Sequence, residues 1–163
     1  MKRLFIPISL KEANRFVTMF HRHNSAVVRA KFSIGLMEGE ELIGVAIAGR
    51  PIARLLDKRT TIEILRTCVK PNHPNANSQL YARMKQICNK MGYTSIITYT
   101  LNSESQSSLR AVGASPVADV KPGNWKRPGR HRHFKAIYAI PKKRWELNNN
   151  KLPQEAQEVS IVE

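Results

Sequence analysis

The stretch Thr60-Thr61-Ile62-Glu63-Ile64-Leu65-Arg66-Thr67-Cys68-Val69-Lys70-Pro71-Asn72-His73-Pro74-Asn75-Ala76-Asn77-Ser78 decides how this chain folds. Residues 60–69 form a β-branched run with Ile62, Ile64 and Val69 apolar, and they read as a strand. Pro71 and Pro74 stop it, because proline cannot donate to a sheet ladder. Beyond the prolines, Leu80, Tyr81, Met84, Ile87, Cys88 and Met91 recur at helical spacing over 76–91. Arg83, Lys85, Gln86, Asn89 and Lys90 fill the opposite face, and Gly92 is placed to end the helix. Strand, loop and helix in this order gather the main-chain N–H groups of Asn75, Ala76, Asn77 and Ser78 at a helix amino terminus. Free donors and the helix dipole there suit a diphosphate. The same four residues also serve a plain helix cap.

Working toward the amino terminus, Ser9 and Glu12 make a capping box for a helix whose Ala13, Phe16, Val17 and Phe20 share one face. A polar cluster, His21, Arg22, His23, Asn24 and Ser25, leads into a strand over 31–36. Glu38, Gly39, Glu40 and Glu41 form a turn, and Leu42, Ile43, Val45 and Ile47 complete a hairpin. On the carboxyl side, residues 94–101 carry no charge and include Ile96, Ile97 and Tyr99, as in a central strand covered on both faces. A short helix over 103–111 ends before Gly113, and a strand-like stretch occupies 134–140. The pattern predicts an α/β fold, an α+β sandwich with a mixed central sheet flanked by helices. Residues 1–147 read as one domain and the Asn-rich, then acidic 148–163 as a flexible tail.

The chain of 163 residues has a formal net charge of +15. Residues 1–145 contain 26 basic and 8 acidic side chains, far beyond what solubility requires. A polyanionic partner is expected, although charge alone does not separate DNA, RNA and an acidic membrane, and a solvated basic surface gives the same count. Residues 121–144 hold nine Lys or Arg, two His and no acid. Within them Trp125 offers a plane for base stacking, and Arg127 and Arg130 offer forks for phosphate or guanine. A solvated loop whose Trp packs on the core is the alternative. Cys68 and Cys88 fall in a strand and a helix and are expected as free thiols. The amino terminus lacks a secretion signal's apolar core and no segment has the length of a membrane span, so a cytoplasmic protein without a membrane partner is expected. His21 and His23, like His131 and His133, lie two apart without a further ligand at metal spacing, and no metal is expected.

The central portion, about 32–140, resembles the GNAT superfamily of N-acetyltransferases. Residues 63–71 resemble that family's fourth strand with its Val-x-Pro ending, and Ile96 to Leu101 followed by Asn102, Ser103, Leu109 and Gly113 is similar to its fifth strand and next helix. The phrases Ile-Thr-Tyr-Thr-Leu at 97–101 and Ser-Leu-Arg-Ala at 108–111 together are similar to a phage and mobile-element branch that looks related to the Mom-like DNA modification proteins, which alter adenine.

That resemblance implies an N-acyltransferase using acetyl-CoA or another acyl-CoA, held by Cys68, Val69, Asn75, Ala76, Asn77, Ser78 and Asn102. Amine acylation needs a base for the attacking nitrogen and an acid for the departing thiolate. Glu63 is the candidate base, placed where the histone-acetylating branch carries its Glu; a salt bridge to Arg66 is the other use for it. Tyr99 and Tyr81 are the available hydroxyls, and Tyr99 is the candidate acid. His21, Arg22, His23 and Asn24, where such proteins receive the acceptor, are expected to contact substrate together with Trp125, Arg127 and Arg130. Two departures are visible: the phosphate loop has asparagine where the family is glycine-rich with an Arg, and Leu109 stands where many relatives carry Tyr. The acceptor is expected on nucleic acid, DNA first. A protein or small-amine acetyltransferase and a non-catalytic nucleic-acid-binding module are the competing functions.

Overall fold

The computed structural model describes residues 1–21, 26–53, 55–121 and 140–147. Among the described residues the strands are β1 (Arg3–Ile8), β2 (Phe32–Glu38), β3 (Glu41–Gly49), β4 (Thr61–Val69), β5 (Ser95–Leu101), β6 (Ser115–Val120) and β7 (Lys142–Glu146). The helices among the described residues are α1 (Leu10–Phe20), α2 (Ala76–Lys90) and α3 (Ser107–Ala111). The strands make one mixed sheet in the order β1-β2-β3-β4-β5-β7-β6. Within it β4 and β5 run parallel and the other neighbours antiparallel.

The expected sandwich follows from which side chains each face buries. On one face α1 covers β2, β3 and β4, burying Ala13, Phe16 and Val17 with Val45, Ile47 and Cys68. On the other, Leu80, Met84 and Cys88 of α2 meet Ile43, Ile62, Ile64, Ile96 and Trp145. Gly44 permits this approach, since a Cβ there would lie 3.1 Å from Leu80 Cδ1. The capping box of α1 is present: Ser9 Oγ accepts from the Glu12 N–H at 3.1 Å, and the Glu12 carboxylate accepts from the Ser9 N–H at 2.8 Å. Gly92 and Gly113 close their helices with φ of +91° and +75°.

Three differences from the sequence reading have local causes. β1 was not expected because Pro7 interrupts its run, yet β1 is an edge strand, where a missing N–H is tolerated. β6 and β7 were not expected either; the Lys-Lys-Arg-Trp-Glu of β7 looks solvated, but Trp145 is fully buried and its Nε1–H donates to Thr100 Oγ1 at 2.9 Å. The helix expected over 103–111 begins only at Ser107, since the Glu104 carboxylate accepts the Leu101 N–H at 3.1 Å and holds the intervening chain in a turn. The strand expected over 134–140 lies outside the described residues except Ile140, which is not in a strand, and 148–163 lies outside them too.

Replacing Ser9 with Ala removes the cap that starts α1 and is expected to cost about 1 kcal/mol. Thermal unfolding followed by circular dichroism should show Tm lowered by roughly 2–4 °C; an unchanged Tm would mean that the capping box contributes nothing.

Candidate active site

The one parallel contact among the described strands is short. β4 and β5 pair at Thr61↔Ser95, Ile62↔Ile96 and Glu63↔Ile97, and beyond Glu63 they part. The register of β4 on β3 steps from Ala48↔Ile64 to Ile47↔Arg66, so Leu65 is an extra residue in β4. Such a bulge bends its strand and increases its twist. After it β4 stays with β3 as far as Gly44↔Val69, while β5 continues along β7 to Leu101↔Lys142. The gap is a cavity of about 190 Å³ with Arg66 and Thr67 on one wall, Thr98 and Tyr99 on the other, and Tyr81 and Leu109 beneath. A recess of about 280 Å³ adjoins it, sharing His21, Thr67, Asn77 and Glu104 and reaching Cys68 and Val69.

The amino terminus of α2 stands at the wide end of this gap. Asn75 takes the left-handed conformation, φ 63°, and makes no side-chain cap; Asn72 is left-handed as well, φ 66°. Asparagine thus supplies the backbone angles for which glycine is the usual choice. The Gln79 N–H closes the first turn on Asn75 O at 3.0 Å, and the N–H groups of Asn77 and Ser78 belong to the start of the helix, where no intrahelical acceptor exists. Ala76 is fully buried against the α2 core, and its N–H donates to His73 O at 3.3 Å, which leaves Asn77 and Ser78 as the donors at the terminus. The loop is pinned from behind: Arg3 Nη1 donates to Pro74 O at 2.9 Å and Gln79 Oε1 at 3.0 Å, and His73 Nδ1 lies 2.8 Å from Glu38 Oε2. Lys70 Nζ meets Glu41 Oε1 at 2.6 Å. A cradle held in this way need not be ordered by its ligand.

Glu63 sits at the point of divergence. Its neighbours Ile62 and Ile64 pack toward α2, so its side chain lies on the α1 side of the sheet. It is 5% exposed and accepts the Ile52 N–H at 2.9 Å. Burial raises its carboxyl to about 7, against weaker opposing effects from the Ile52 hydrogen bond and the charges of Arg66 and Lys142. Tyr99 occupies the same face one strand away, opposite Arg144. Burial and then the Glu63 charge push its hydroxyl up, while a hydrogen bond from Arg144 works in the other direction. On the α2 side, Thr67 Oγ1 donates to the Tyr81 hydroxyl at 3.2 Å, and Thr98 Oγ1 donates to Ile64 O at 3.0 Å.

Of the residues singled out from sequence, the fold brings Glu63, Tyr99, His21, Cys68, Val69 and Asn77 to the gap or its edge. Cys68 is buried, and that burial pushes its thiol up to about 11, which disfavours the thiolate. Asn102 is exposed at the end of β5, with its N–H 3.4 Å from Pro141 O, and does not line the cavity. Arg22, His23, Asn24, Trp125, Arg127 and Arg130 lie outside the described residues. Among the described residues no cluster of three metal-ligating side chains occurs, and no helix is long and apolar enough to cross a membrane. Sequence reasoning missed Arg66, Thr67, Thr98, Glu104, Lys142 and Arg144. The alternation Thr98-Tyr99-Thr100 was a usable signal; the others depend on the bulge and on the β5–β7 register.

No protein-family model and no curated protein sequence matches the chain. Solved structures do. An acetyltransferase from Bacillus subtilis, solved in complex with CoA, is 17% identical with a TM-score of 0.66, over 90% of this chain and 99% of that one. The ribosomal-protein-S18-alanine N-acetyltransferase of Escherichia coli is 10% identical with a TM-score of 0.65, over 94% and 97%. A GNAT-family acetyltransferase from Streptococcus pneumoniae is 8% identical with a TM-score of 0.62, over 89% and 98%. The chain therefore has the GNAT acetyltransferase fold, as its central residues suggested.

The Glu63 carboxyl titrates near 4.5 in the unfolded chain and near 7 in the folded one. Between these values the folded state holds the extra proton, so stability falls as pH rises through this window, by up to about 3 kcal/mol. Urea titrations at pH 5 and pH 8 should show Glu63→Gln losing less stability than wild type across that interval. Equal pH dependence in both proteins would place Glu63 in solvent.

Proposed function

We propose that this chain is an N-acyltransferase that draws its acyl group from acyl-coenzyme A and delivers it to an amine on nucleic acid, in the manner of the Mom-like modification of adenine in DNA. The observation that supports it best is the parting of β4 from β5 at Glu63, with the amino terminus of α2 at the open end. The parting leaves an edge of β4 available to hydrogen-bond an extended chain, and the helix terminus offers donors to a diphosphate. The two features are joined by one loop, as a ligand with a diphosphate at one end and a long arm at the other requires. The asparagine-rich loop, a departure from the family pattern, reaches left-handed angles and so fits the same ligand.

Bound acyl-coenzyme A would supply the acyl group as an activated thioester. Asn77 and Ser78 would hold the phosphates through their main-chain N–H groups, and the free edge of β4 would orient the arm. Glu63, with its proton balanced near neutrality, takes the proton released as the amine nitrogen bonds to carbon. For adenine, whose exocyclic nitrogen is already uncharged at neutral pH, that proton is lost only as the new bond forms. Tyr99 holds the proton required by the departing sulfur, and Arg144 favours its phenolate. Tyr81 and Leu109 close the floor against water. His21 and the cluster that follows it in sequence, with Trp125, Arg127 and Arg130, receive the acceptor. The net charge of +15 supports nucleic acid as its carrier. A base within a duplex would first have to be extruded.

The direct test incubates the protein with acetyl-coenzyme A and either DNA or cell protein, and reads the mass of each. Acyl transfer to DNA nucleosides is the expected result. Label on protein alone would assign a protein acceptor, as the name of the Escherichia coli neighbour states for that enzyme, and label on neither would leave a binding module. Glu63→Gln should reduce kcat/KM on the order of 10²–10⁴-fold. Wild-type rates should rise through about pH 7 as Glu63 ionises, and a flat pH profile contradicts its role as base. Asn77→Glu, which places a negative charge against the phosphates, should abolish coenzyme A uptake while leaving the fold intact.

A further inference from the structure

Three hydroxyl groups bridge the β4–β5 gap on the side opposite Glu63. Thr67 pairs with Ala46, and Thr98 lies two residues beyond Ile96, so both side chains point to the α2 side, where Ala46 and Ile96 pack. The register of β4 on β5 ends at Glu63↔Ile97. Past it, Thr98 Oγ1 donates to Ile64 O at 3.0 Å, and Thr67 Oγ1 donates to the Tyr81 hydroxyl at 3.2 Å. The Tyr81 hydroxyl also hydrogen-bonds the Thr98 side chain. Thr98 has given its one proton to Ile64 O, so in that bond the phenol donates and Thr98 Oγ1 accepts. The phenol of Tyr81 thus stands between the two strands, 7% exposed, on the floor of the cavity.

In the proposed acyl transfer Glu63 takes the proton of the amine and Tyr99 gives one to the sulfur, both from the α1 side. Neither serves the carbonyl oxygen, which gains negative charge as nitrogen bonds to carbon. An amine arriving from the Glu63 side pushes that oxygen toward the α2 side, because the carbon becomes tetrahedral with its other substituents turned away from the attacking atom. Tyr81 has the chemistry to meet it. Burial raises its hydroxyl, against the hydrogen bonds with Thr67 and Thr98, so the phenol keeps its proton at neutral pH. The bond from Thr67 to the phenol oxygen polarises the O–H. In the resting site that proton is held by Thr98 Oγ1, a neutral acceptor. Moving it to an oxyanion exchanges a neutral hydrogen bond for a charge-assisted one about twice as strong. The gain arises only when charge develops, and only such gains accelerate the chemical step.

We infer that Tyr81 is the oxyanion donor of this site: its hydroxyl, set between β4 and β5 by Thr67 and Thr98, swings from Thr98 Oγ1 to the thioester carbonyl oxygen as the amine attacks. This role rests on the acyl-transfer reading above. The electron pair of the C=O bond moves to oxygen as the C–N bond forms, and it returns as the C–S bond breaks. The amine proton goes to Glu63, and the sulfur leaves as the thiol with the proton of Tyr99. Tyr81 donates a hydrogen bond throughout and loses no proton. Thr98 keeps its own bond to Ile64 O, so the strands stay where they are while the phenol hydrogen changes acceptor.

The test follows acetyl-coenzyme A turnover by release of the free thiol, with whichever acceptor takes the label, DNA or cell protein. Calorimetry of coenzyme A binding and thermal unfolding accompany it. Tyr81→Phe keeps the ring and removes only the hydroxyl, so kcat should fall on the order of 10²–10³-fold with coenzyme A affinity unchanged. Thr98→Val breaks two bonds of the same chain of hydroxyls but leaves the phenol, so it should lower Tm and reduce kcat by about tenfold or less. Wild-type kcat in Tyr81→Phe overturns the role. An equal fall in both variants, or lost coenzyme A binding in Tyr81→Phe, overturns it too, since each makes the hydroxyl structural. A wild-type protein that takes up no coenzyme A, or transfers to neither acceptor, removes the acyl-transfer reading and this role with it. One that turns over acetyl-coenzyme A while Tyr81→Phe keeps its rate removes the oxyanion donor alone.

Discussion

A strand can hydrogen-bond a neighbour on each edge only while all three run together, and β4 cannot keep both of its neighbours. It holds β3 along its length and β5 for three residue pairs. The bulge at Leu65 diverts β4 just after the last of them, and β5 follows β7 instead. Much of the site follows from that divergence. It creates the cavity, exposes an edge of β4 to it and leaves Glu63 buried at its apex. Because the two helical layers pack on either side of the same strands, the gap is held open by the core.

The electrostatics of the site come from the same geometry. At the apex Glu63 is enclosed by the sheet and the 50–53 segment, which raises its carboxyl to about 7, whereas the carboxyl of Glu38, against its own partial burial, is held low by hydrogen bonds and charge from Arg3 and His73, and that of the exposed Glu41 by Lys70. Equivalent side chains thus serve two purposes. Glu38 and Glu41 brace the 70–75 loop through Arg3, His73 and Lys70, and Glu63 is left able to exchange a proton near neutral pH. The surface ion pairs of the brace add little stability. Their contribution is to fix where the amino terminus of α2 points.

The sequence made the left half of this molecule legible and the right half less so. α1, the β2–β3 hairpin, β4 and α2 carry strong local signals, namely a capping box, a Gly39 turn, a β-branched run and a helical stripe, and each appears within a few residues of its expected bounds. β7 was hidden because its charged residues Lys142, Lys143 and Arg144 mask the single buried Trp145, and β1 because Pro7 is harmless only at an edge. Within the site, Glu63 and the loop at 75–78 could be placed from sequence, since both depend on local order along the chain. Arg66, Glu104, Lys142 and Arg144 could not, because their meeting depends on a bulge and on a strand register between distant segments. Asn102, just past the end of the fifth strand, is exposed and does not line the cavity.

Coenzyme A titrated into isotopically labelled protein, followed by backbone amide NMR, tests the divergence of β4 and β5 as a ligand site most directly. The largest shifts should fall on Asn77 and Ser78 and along β4 from Arg66 to Val69, with β1 and β6 unmoved. An absence of shifts at saturating coenzyme A, or shifts confined to residues away from this gap, would contradict the assignment.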